Sequence, residues 1–181
     1  MLQIIVPARE YYDDVHNEFI NTKEQKINLE HSLVSLAKWE SKWHKPFLNN
    51  KEQKSMDEIR DYIRCMTLTQ NVDPKVYYSL TAENYKDIQD YIDNPMTATT
   101  FSNQKQGPPN REIITNELIY YWMTAYQIPV EFEKWHLNRL LTLIRVCSIK
   151  NAPPKKMSKG DILKSNASLN AARRKAYHTK G

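Results

Sequence analysis

Helical periodicity is clearest in Glu131-Phe-Glu-Lys-Trp-His-Leu-Asn-Arg-Leu-Leu-Thr-Leu-Ile-Arg-Val-Cys-Ser-Ile-Lys150. At about 100° per residue, one narrow stripe holds five polar side chains, and most of the remaining surface is apolar. These five are Glu131, Lys134, Asn138, Thr142 and Arg145. A helix that is apolar over so wide an arc is usually enclosed by its neighbours. The pattern therefore predicts a long helix over 131–150 that forms the centre of a helical core.

Helix-start signals upstream of this stretch predict further helices. Ser55-Met-Asp-Glu58 has the spacing of a capping box, in which the hydroxyl and the carboxylate satisfy free N–H groups at a helix start. Single hydroxyl residues precede apolar periodicity at Ser32, Thr81 and Thr115. We therefore expect the body of the protein to be a bundle of helices.

The N-terminal segment has strand signals instead. Leu2–Val6 is a short β-favouring run that ends at Pro7. Phe19–Thr22 and Lys26–Glu30 are predicted to pair as a hairpin across Lys23–Gln25. The predicted fold class is therefore mainly α (α+β), with short strands in residues 1–30 and a helical body over residues 32–150.

Positive charge is concentrated at the C-terminal end. The whole chain has 26 Lys+Arg and 21 Asp+Glu, a formal net charge of +5. Residues 150–181 contain nine basic residues and one acidic residue, so they carry +8 and residues 1–149 carry −3. Pro153-Pro154 interrupts any helix at the boundary. We therefore predict a globular domain over 1–150 and a basic C-terminal tail, helical or disordered, over 151–181.

The composition excludes several classes of active site. The chain contains only 3 glycines, and they are too far apart to form the Gly-rich loops that bind nucleotide phosphates. Its five histidines are scattered, without a metal-binding spacing, and no nucleophile motif is present. His136 is interpreted as a structural, hydrogen-bonded residue. The sequence therefore predicts a non-enzymatic protein with no catalytic residue, cofactor or metal.

The two cysteines, Cys65 and Cys147, belong to no disulfide framework, which favours a reducing compartment. The first residues lack the basic region of a signal peptide, and no run of 18 apolar residues occurs. The expectation is a cytoplasmic protein that makes no membrane contact.

Two groups of side chains are candidates for binding a partner. The first is aromatic, and since consecutive residues of a helix point about 100° apart, some of its rings must lie near the surface. The second is basic, and it could contact an acidic protein, nucleic-acid phosphate or solvent alone. The aromatic candidates are Tyr120, Tyr121, Trp122 and Tyr126, and the basic candidates are Lys155, Lys156, Arg173, Arg174 and Lys175.

Several stretches resemble the tail assembly chaperones, small proteins from the structural and tail gene clusters of long-tailed bacteriophages. They cover most of the chain from residue 29 onward. The stretches are Ser32-Leu-Val-Ser-Leu-Ala-Lys-Trp-Glu-Ser-Lys-Trp-His-Lys-Pro-Phe47, Thr97-Ala-Thr-Thr-Phe101, Ile114-Thr-Asn-Glu-Leu-Ile-Tyr-Tyr-Trp-Met123, Trp135-His-Leu-Asn-Arg-Leu-Leu-Thr-Leu-Ile-Arg-Val-Cys147, Lys155-Lys-Met157 and Leu169-Asn-Ala-Ala-Arg-Arg174.

The resemblance implies a protein made during virion assembly in the host cytoplasm. Such chaperones bind the long, largely helical tape-measure protein and keep it soluble until tail-tube subunits polymerise around it. Two other functions stay open: a virion component such as a head–tail, neck or minor tail protein, and a nucleic-acid-binding accessory protein acting through the tail. A homo-oligomer is compatible with each of these functions.

Overall fold

A computed structural model describes residues 1–13, 17–49, 53–101, 112–153 and 159–178, and in this part of the chain four short strands precede six α-helices. The predicted α+β class, mainly helical with N-terminal strands, is confirmed. The chain divides into two compact units, Met1–Ser148 and Ile149–Gly181. The elements are β1 Leu2–Val6, β2 Arg9–Asp13, β3 Glu18–Thr22, β4 Gln25–Leu29, α1 Leu33–Trp43, α2 Met56–Met66, α3 Ala82–Asp93, α4 Asn116–Ala125, α5 Leu137–Asn151 and α6 Lys159–Tyr177, with 3-10 segments at Pro74–Tyr78 and Val130–Lys134.

The strands form two antiparallel sheets of two strands each, which keep the same register on either side of Pro7 and Ala8 and are together called the ribbon. β1 pairs with β4 and β2 pairs with β3, and in both pairs the numbers of facing residues add up to 31. The predicted hairpin between Phe19–Thr22 and Lys26–Glu30 is therefore wrong, because β3 and β4 run on one side of the ribbon and pair with the two strands opposite them. Proline lacks an N–H group for the ladder, which explains the break at residue 7.

The helix-start signals are mostly confirmed. Ser32, Ser55 and Thr81 each accept a hydrogen bond from the backbone N–H three residues later, and each completes a capping box. These bonds satisfy N–H groups that the helix itself leaves without partners. Thr115 stands at the N-cap position of α4, but its side chain makes no capping hydrogen bond.

Two buried apolar clusters meet at α1. One packs the ribbon, α2, α3 and the first 3-10 segment around Trp39, and the other packs α4 and α5 against Leu33 and Leu36. Because α1 contributes side chains to both clusters, it holds the central position that the sequence pattern assigned to residues 131–150.

The predicted central helix over 131–150 is wrong in its start and in its burial. Residues 130–134 form a 3-10 segment after Pro129, and Trp135 has an extended backbone. His136 then bridges Ser32, so that α5 begins only at Leu137. On α5 the residues that are buried are Leu137, Leu140 and Ile144, whereas its other large apolar side chains are half-buried or exposed. The buried face of α5 is therefore narrower than the apolar periodicity of its sequence predicts.

Candidate partner-binding surfaces

The start of α4 is fixed by a carboxylate from another helix. Glu40 of α1 accepts hydrogen bonds from the backbone N–H and the side-chain amide of Asn116, at 2.8 and 2.7 Å. Its other oxygen accepts the backbone N–H of Phe47 at 2.7 Å. A buried negative charge at a helix N-terminus interacts favourably with the helix dipole and satisfies the free N–H group there. Glu40 therefore accepts a backbone N–H at the start of α4, the capping role that was expected of the Thr115 hydroxyl, and it links α4 to α1.

α4 is apolar on two opposite faces. Asn116, Ile119 and Met123 are buried on the inner face. The opposite face carries Leu118, Tyr121, Trp122 and Ala125, at positions i, i+3, i+4 and i+7. Tyr121 is 65% exposed at the middle of this outward face. The spacing is that of a stripe to which another helix can dock.

The other three aromatic candidates are half-buried. Tyr120 donates its hydroxyl hydrogen to Glu133 Oε2 at 2.8 Å. Partial burial, together with this carboxylate, raises the pKa of Tyr120 to about 12. Trp122 and Tyr126 pack at the edge of the second apolar cluster. Tyr121 is thus the candidate ring with the most surface available to a partner.

A further aromatic group lies after α4 and was missed in the sequence. The rings of Phe132 and Trp135 stack with centroids 3.9 Å apart, and the Arg139 guanidinium lies 4.0 Å from the Trp135 ring. Both rings are half-buried, and nearby Val130 is exposed. The prediction of one enclosed helix over 131–150 treated both aromatic residues as part of the core. The signal of this group is the i, i+3 aromatic spacing just after Pro129.

The basic tail is helical where the structure describes it. α6 has 19 residues and none of them is buried. Arg173, Arg174 and Lys175 are exposed, as are the large apolar side chains of Ile162, Leu163, Leu169 and Tyr177. Lys155 and Lys156 lie outside the described residues. The tail therefore presents positive charge and apolar surface on the same helix.

His136 is buried beside a second histidine. Its Nε2–H donates to the backbone carbonyl of Tyr91 at 3.0 Å, and its Nδ1 has no partner among the described residues. The His31 ring lies 5.1 Å away, centroid to centroid, and its Nδ1 is hydrogen-bonded to the Tyr62 hydroxyl at 2.6 Å. Burial, and then the neighbouring His136, lowers the pKa of His31 to about 3. Burial also lowers the pKa of His136, so both rings are neutral near pH 7.

Within the described residues, no group of three or more His, Cys, Asp or Glu side chains is placed to hold a metal ion. None of the helices described there has both the length and the apolar character needed to cross a membrane. Comparison with protein-family models, with curated proteins and with solved structures gave no match. The surfaces on α4 and α6 are therefore interpreted from their own chemistry.

Proposed function

We propose that this chain is a non-enzymatic tail assembly chaperone of a long-tailed bacteriophage, which binds the tape-measure protein in the host cytoplasm before the tail tube polymerises. The observation that carries the proposal is the outward face of α4, where Tyr121 is 65% exposed beside half-buried Leu118 and exposed Ala125, and where Trp122 packs against the second apolar cluster at the edge of the stripe. The resemblance of the sequence stretches to that family supports the same function.

The stripe suits a helical client. Side chains at i, i+3, i+4 and i+7 interdigitate with the matching stripe of an amphipathic helix. Fully burying an exposed large apolar side chain contributes about 1.5–3 kcal/mol, so Tyr121, which is 65% exposed, is expected to supply more of the contact energy than half-buried Leu118. A client whose own apolar face is covered in this way has less surface available for aggregation.

The basic helix α6 contributes in a different way. It carries five basic residues and one acidic residue, and the basic side chains are exposed. Such a charge accelerates the encounter with an acidic client and is screened by salt. We therefore assign the specific contact to α4 and the electrostatic attraction to α6.

Co-expression with the tape-measure gene tests the proposal. The wild-type chain should keep the client in the soluble fraction, and Tyr121→Asp should return most of it to the pellet, because a carboxylate cannot be buried unpaired in an apolar contact. Tyr78→Asp, which changes another tyrosine that is exposed but lies on the first 3-10 segment, is the matched control. A client that is equally soluble without this chain would contradict the proposal.

The exposed charge of α6 favours one alternative, binding to nucleic-acid phosphate. That function predicts DNA affinity that falls steeply as salt rises, and loss of binding when the chain is truncated after Asn151.

A virion component is the other alternative. A chaperone departs before the tail is complete, so mass spectrometry of purified particles separates it from a virion component. Detection at a fixed copy number would favour the virion component.

A further inference from the structure

Two buried histidines, called here the histidine pair, lie where the two apolar clusters meet. His31 stands just before α1, and its ring contacts Tyr62 of α2, which belongs to the first cluster. His136 stands just before α5, and its ring packs edge-on against Tyr91 of α3 with centroids 4.9 Å apart. Leu137, the next residue, belongs to the second cluster. The histidine pair therefore lies between α2 and α3 on one side and the start of α5 on the other.

Hydrogen bonds to backbone carbonyls join the start of α5 to the end of α3. His136 donates to one of these carbonyls, as described above. The side-chain amide of Asn138 donates to two more, those of Ile92 and Asn94, at 2.8 and 2.9 Å. Because these donors lie within residues 136–138, one local movement would break all of these bonds together.

Neither ring has a place for an added proton in the closed structure. Nδ1 of His136 has no partner among the described residues, so a proton there would find no acceptor among them. The His31 ring is 2% exposed, so a charge on it would be cut off from water. The two ring centroids are 5.1 Å apart, and two charged rings at this distance would repel each other.

The charged groups around the histidine pair do not remove this penalty. Asp93 and Lys54 line the same cavity as His31, and Asp93 favours its charged form. Glu30 favours the charged form of His136, whereas the N-terminal amine opposes it. Burial outweighs both carboxylates, so the pKa of each histidine is lowered, that of His31 to about 3. The hydroxyls of the two contacting tyrosines are neutral near pH 7, because burial raises the pKa of each.

We propose that the histidine pair is a pH-sensitive switch, and that acid separates the start of α5 from the end of α3 while α2 stays folded. In the open form both rings reach water and take up protons that the closed form excludes. The closed form is favoured fully above about pH 6.5, and it loses this advantage as pH falls toward 3. Between pH 7 and pH 5 the opening equilibrium constant should rise about 20-fold from His31 alone.

Native-state hydrogen exchange of the full chain between pH 5 and pH 7 tests the proposal. Each rate is divided by the intrinsic exchange rate at the same pH, so that the ratio reports opening alone. Amides of α5 should be less protected than those of α2 at each pH, and α5 protection should fall about 20-fold or more from pH 7 to pH 5. Equal protection of α5 and α2 at every pH would overturn the proposal, because the whole unit would then open at once. Protection of α5 that does not change with pH would overturn it too.

Variants show whether the histidine pair is responsible. His31→Gln/His136→Gln removes both titrating rings but leaves a side-chain N–H at each position, so α5 protection should no longer fall between pH 7 and pH 5. His44→Asn, the matched control, removes an exposed histidine and should keep the wild-type fall. A wild-type fall in the double variant would overturn the proposal. The comparison of α5 with α2 in the wild-type chain does not depend on these variants, and no outcome bears on the chaperone proposal, because no client takes part.

Discussion

α2 and α6 are both regular helices, but they are stabilised by different means. α2 has 11 residues, and Glu58, Asp61, Tyr62, Ile63 and Met66 are buried on it, with a capping box at its start. α6 has 19 residues and no buried side chain. The buried residues of α2 each pack or hydrogen-bond within the first unit, which accounts for their residue types. The apolar residues of α6 are exposed and have no such explanation within the described residues, and the proposed function assigns α6 to contact with a client.

Polar contacts strengthen the contrast. Lys45 Nζ lies 2.6 Å from Glu58 Oε1, and Lys42 Nζ lies 2.6 Å from Asp61 Oδ1. The hydrogen bond from Lys45, followed by the one from the Ser55 backbone, lowers the pKa of Glu58. Burial raises the pKa of Asp61, but hydrogen bonds from Lys42 and Trp43 outweigh it and leave the pKa lowered. α2 is thus tied to its surroundings by charge as well as by packing.

The largest expected effect comes from the packing partner of α2. Trp39 is 1% exposed, and its indole N–H donates to the Glu58 carbonyl at 2.9 Å. Trp39→Ala should lower the free energy of unfolding by about 3–5 kcal/mol through the cavity that it leaves. Leu169→Ala on α6 should change it by less than about 0.5 kcal/mol, since no buried contact is lost. Urea titrations of both variants measure the difference, and a similar loss in both would break the comparison.

The next largest effect is a dependence on pH that belongs to the first unit. The pKa of His31 is about 3 in the folded chain and about 6.5 when unfolded, so only the unfolded chain takes up this proton in between. The stabilisation from the neutral ring is therefore complete above about pH 6.5 and is lost as pH falls toward 3. The slope is about 1.4 kcal/mol per pH unit, and His136 adds to it in the same direction.

Urea unfolding at several pH values between about 5 and 7 measures this slope. His31→Gln should flatten it, because the variant has no proton to take up at that position. His44→Asn is the matched control: His44 is exposed, and asparagine tolerates its positive φ of 53°. An unchanged slope in His31→Gln would show that other groups control the acid sensitivity.

A smaller effect is expected at the helix starts. Ser55→Ala removes the hydroxyl that caps α2 and should cost about 1 kcal/mol of stability. Thr115→Ala at the start of α4 should lower the free energy of unfolding by only about 0.2–0.4 kcal/mol, since Glu40 rather than the threonine hydroxyl bonds to Asn116. Thermal or urea unfolding of the two variants compares them directly. Equal losses would mean that Glu40 does not replace the cap.

The smallest effect on global stability is expected within α6. Ala172→Gly weakens a helix by about 1 kcal/mol where the helix stands alone. Because α6 has no buried residue, the urea midpoint of the first unit should stay unchanged. Hydrogen exchange should nevertheless become faster across α6. A lowered midpoint would show that α6 supports the fold of the body.

The features predicted well from the sequence are local ones. A capping box such as Ser55–Glu58 depends on residues three positions apart, so spacing alone identifies it. The pairing of the strands could not be predicted in the same way, because β3 faces β2 and not its neighbour β4 in the chain. The turn predicted at Lys23–Gln25 contains no glycine, and the alternation of Ile27 and Leu29 fits either pairing.

The start of α5 and the cap of α4 show the influence of distant residues. Residues 131–136 have helical periodicity, but the bridge between His136 and Ser32 holds them outside the helix. Likewise Glu40 bonds to Asn116 from 76 positions away. The aromatic run of α4 was predicted as a candidate surface, but the sequence does not show that Tyr121 is its most exposed ring, because this depends on which face of α4 is buried. That face is fixed by the second apolar cluster.

Hydrogen exchange of the full chain, with and without the co-purified tape-measure protein, tests the central claim most directly. We predict that the client slows exchange in α4, around the outward stripe of Leu118, Tyr121 and Ala125, and in α6, and that exchange in α2 stays as it was. Tyr121→Asp should remove the protection of α4. No change in α4 on client binding, or equal protection in Tyr121→Asp, would contradict the assignment of this face to the client.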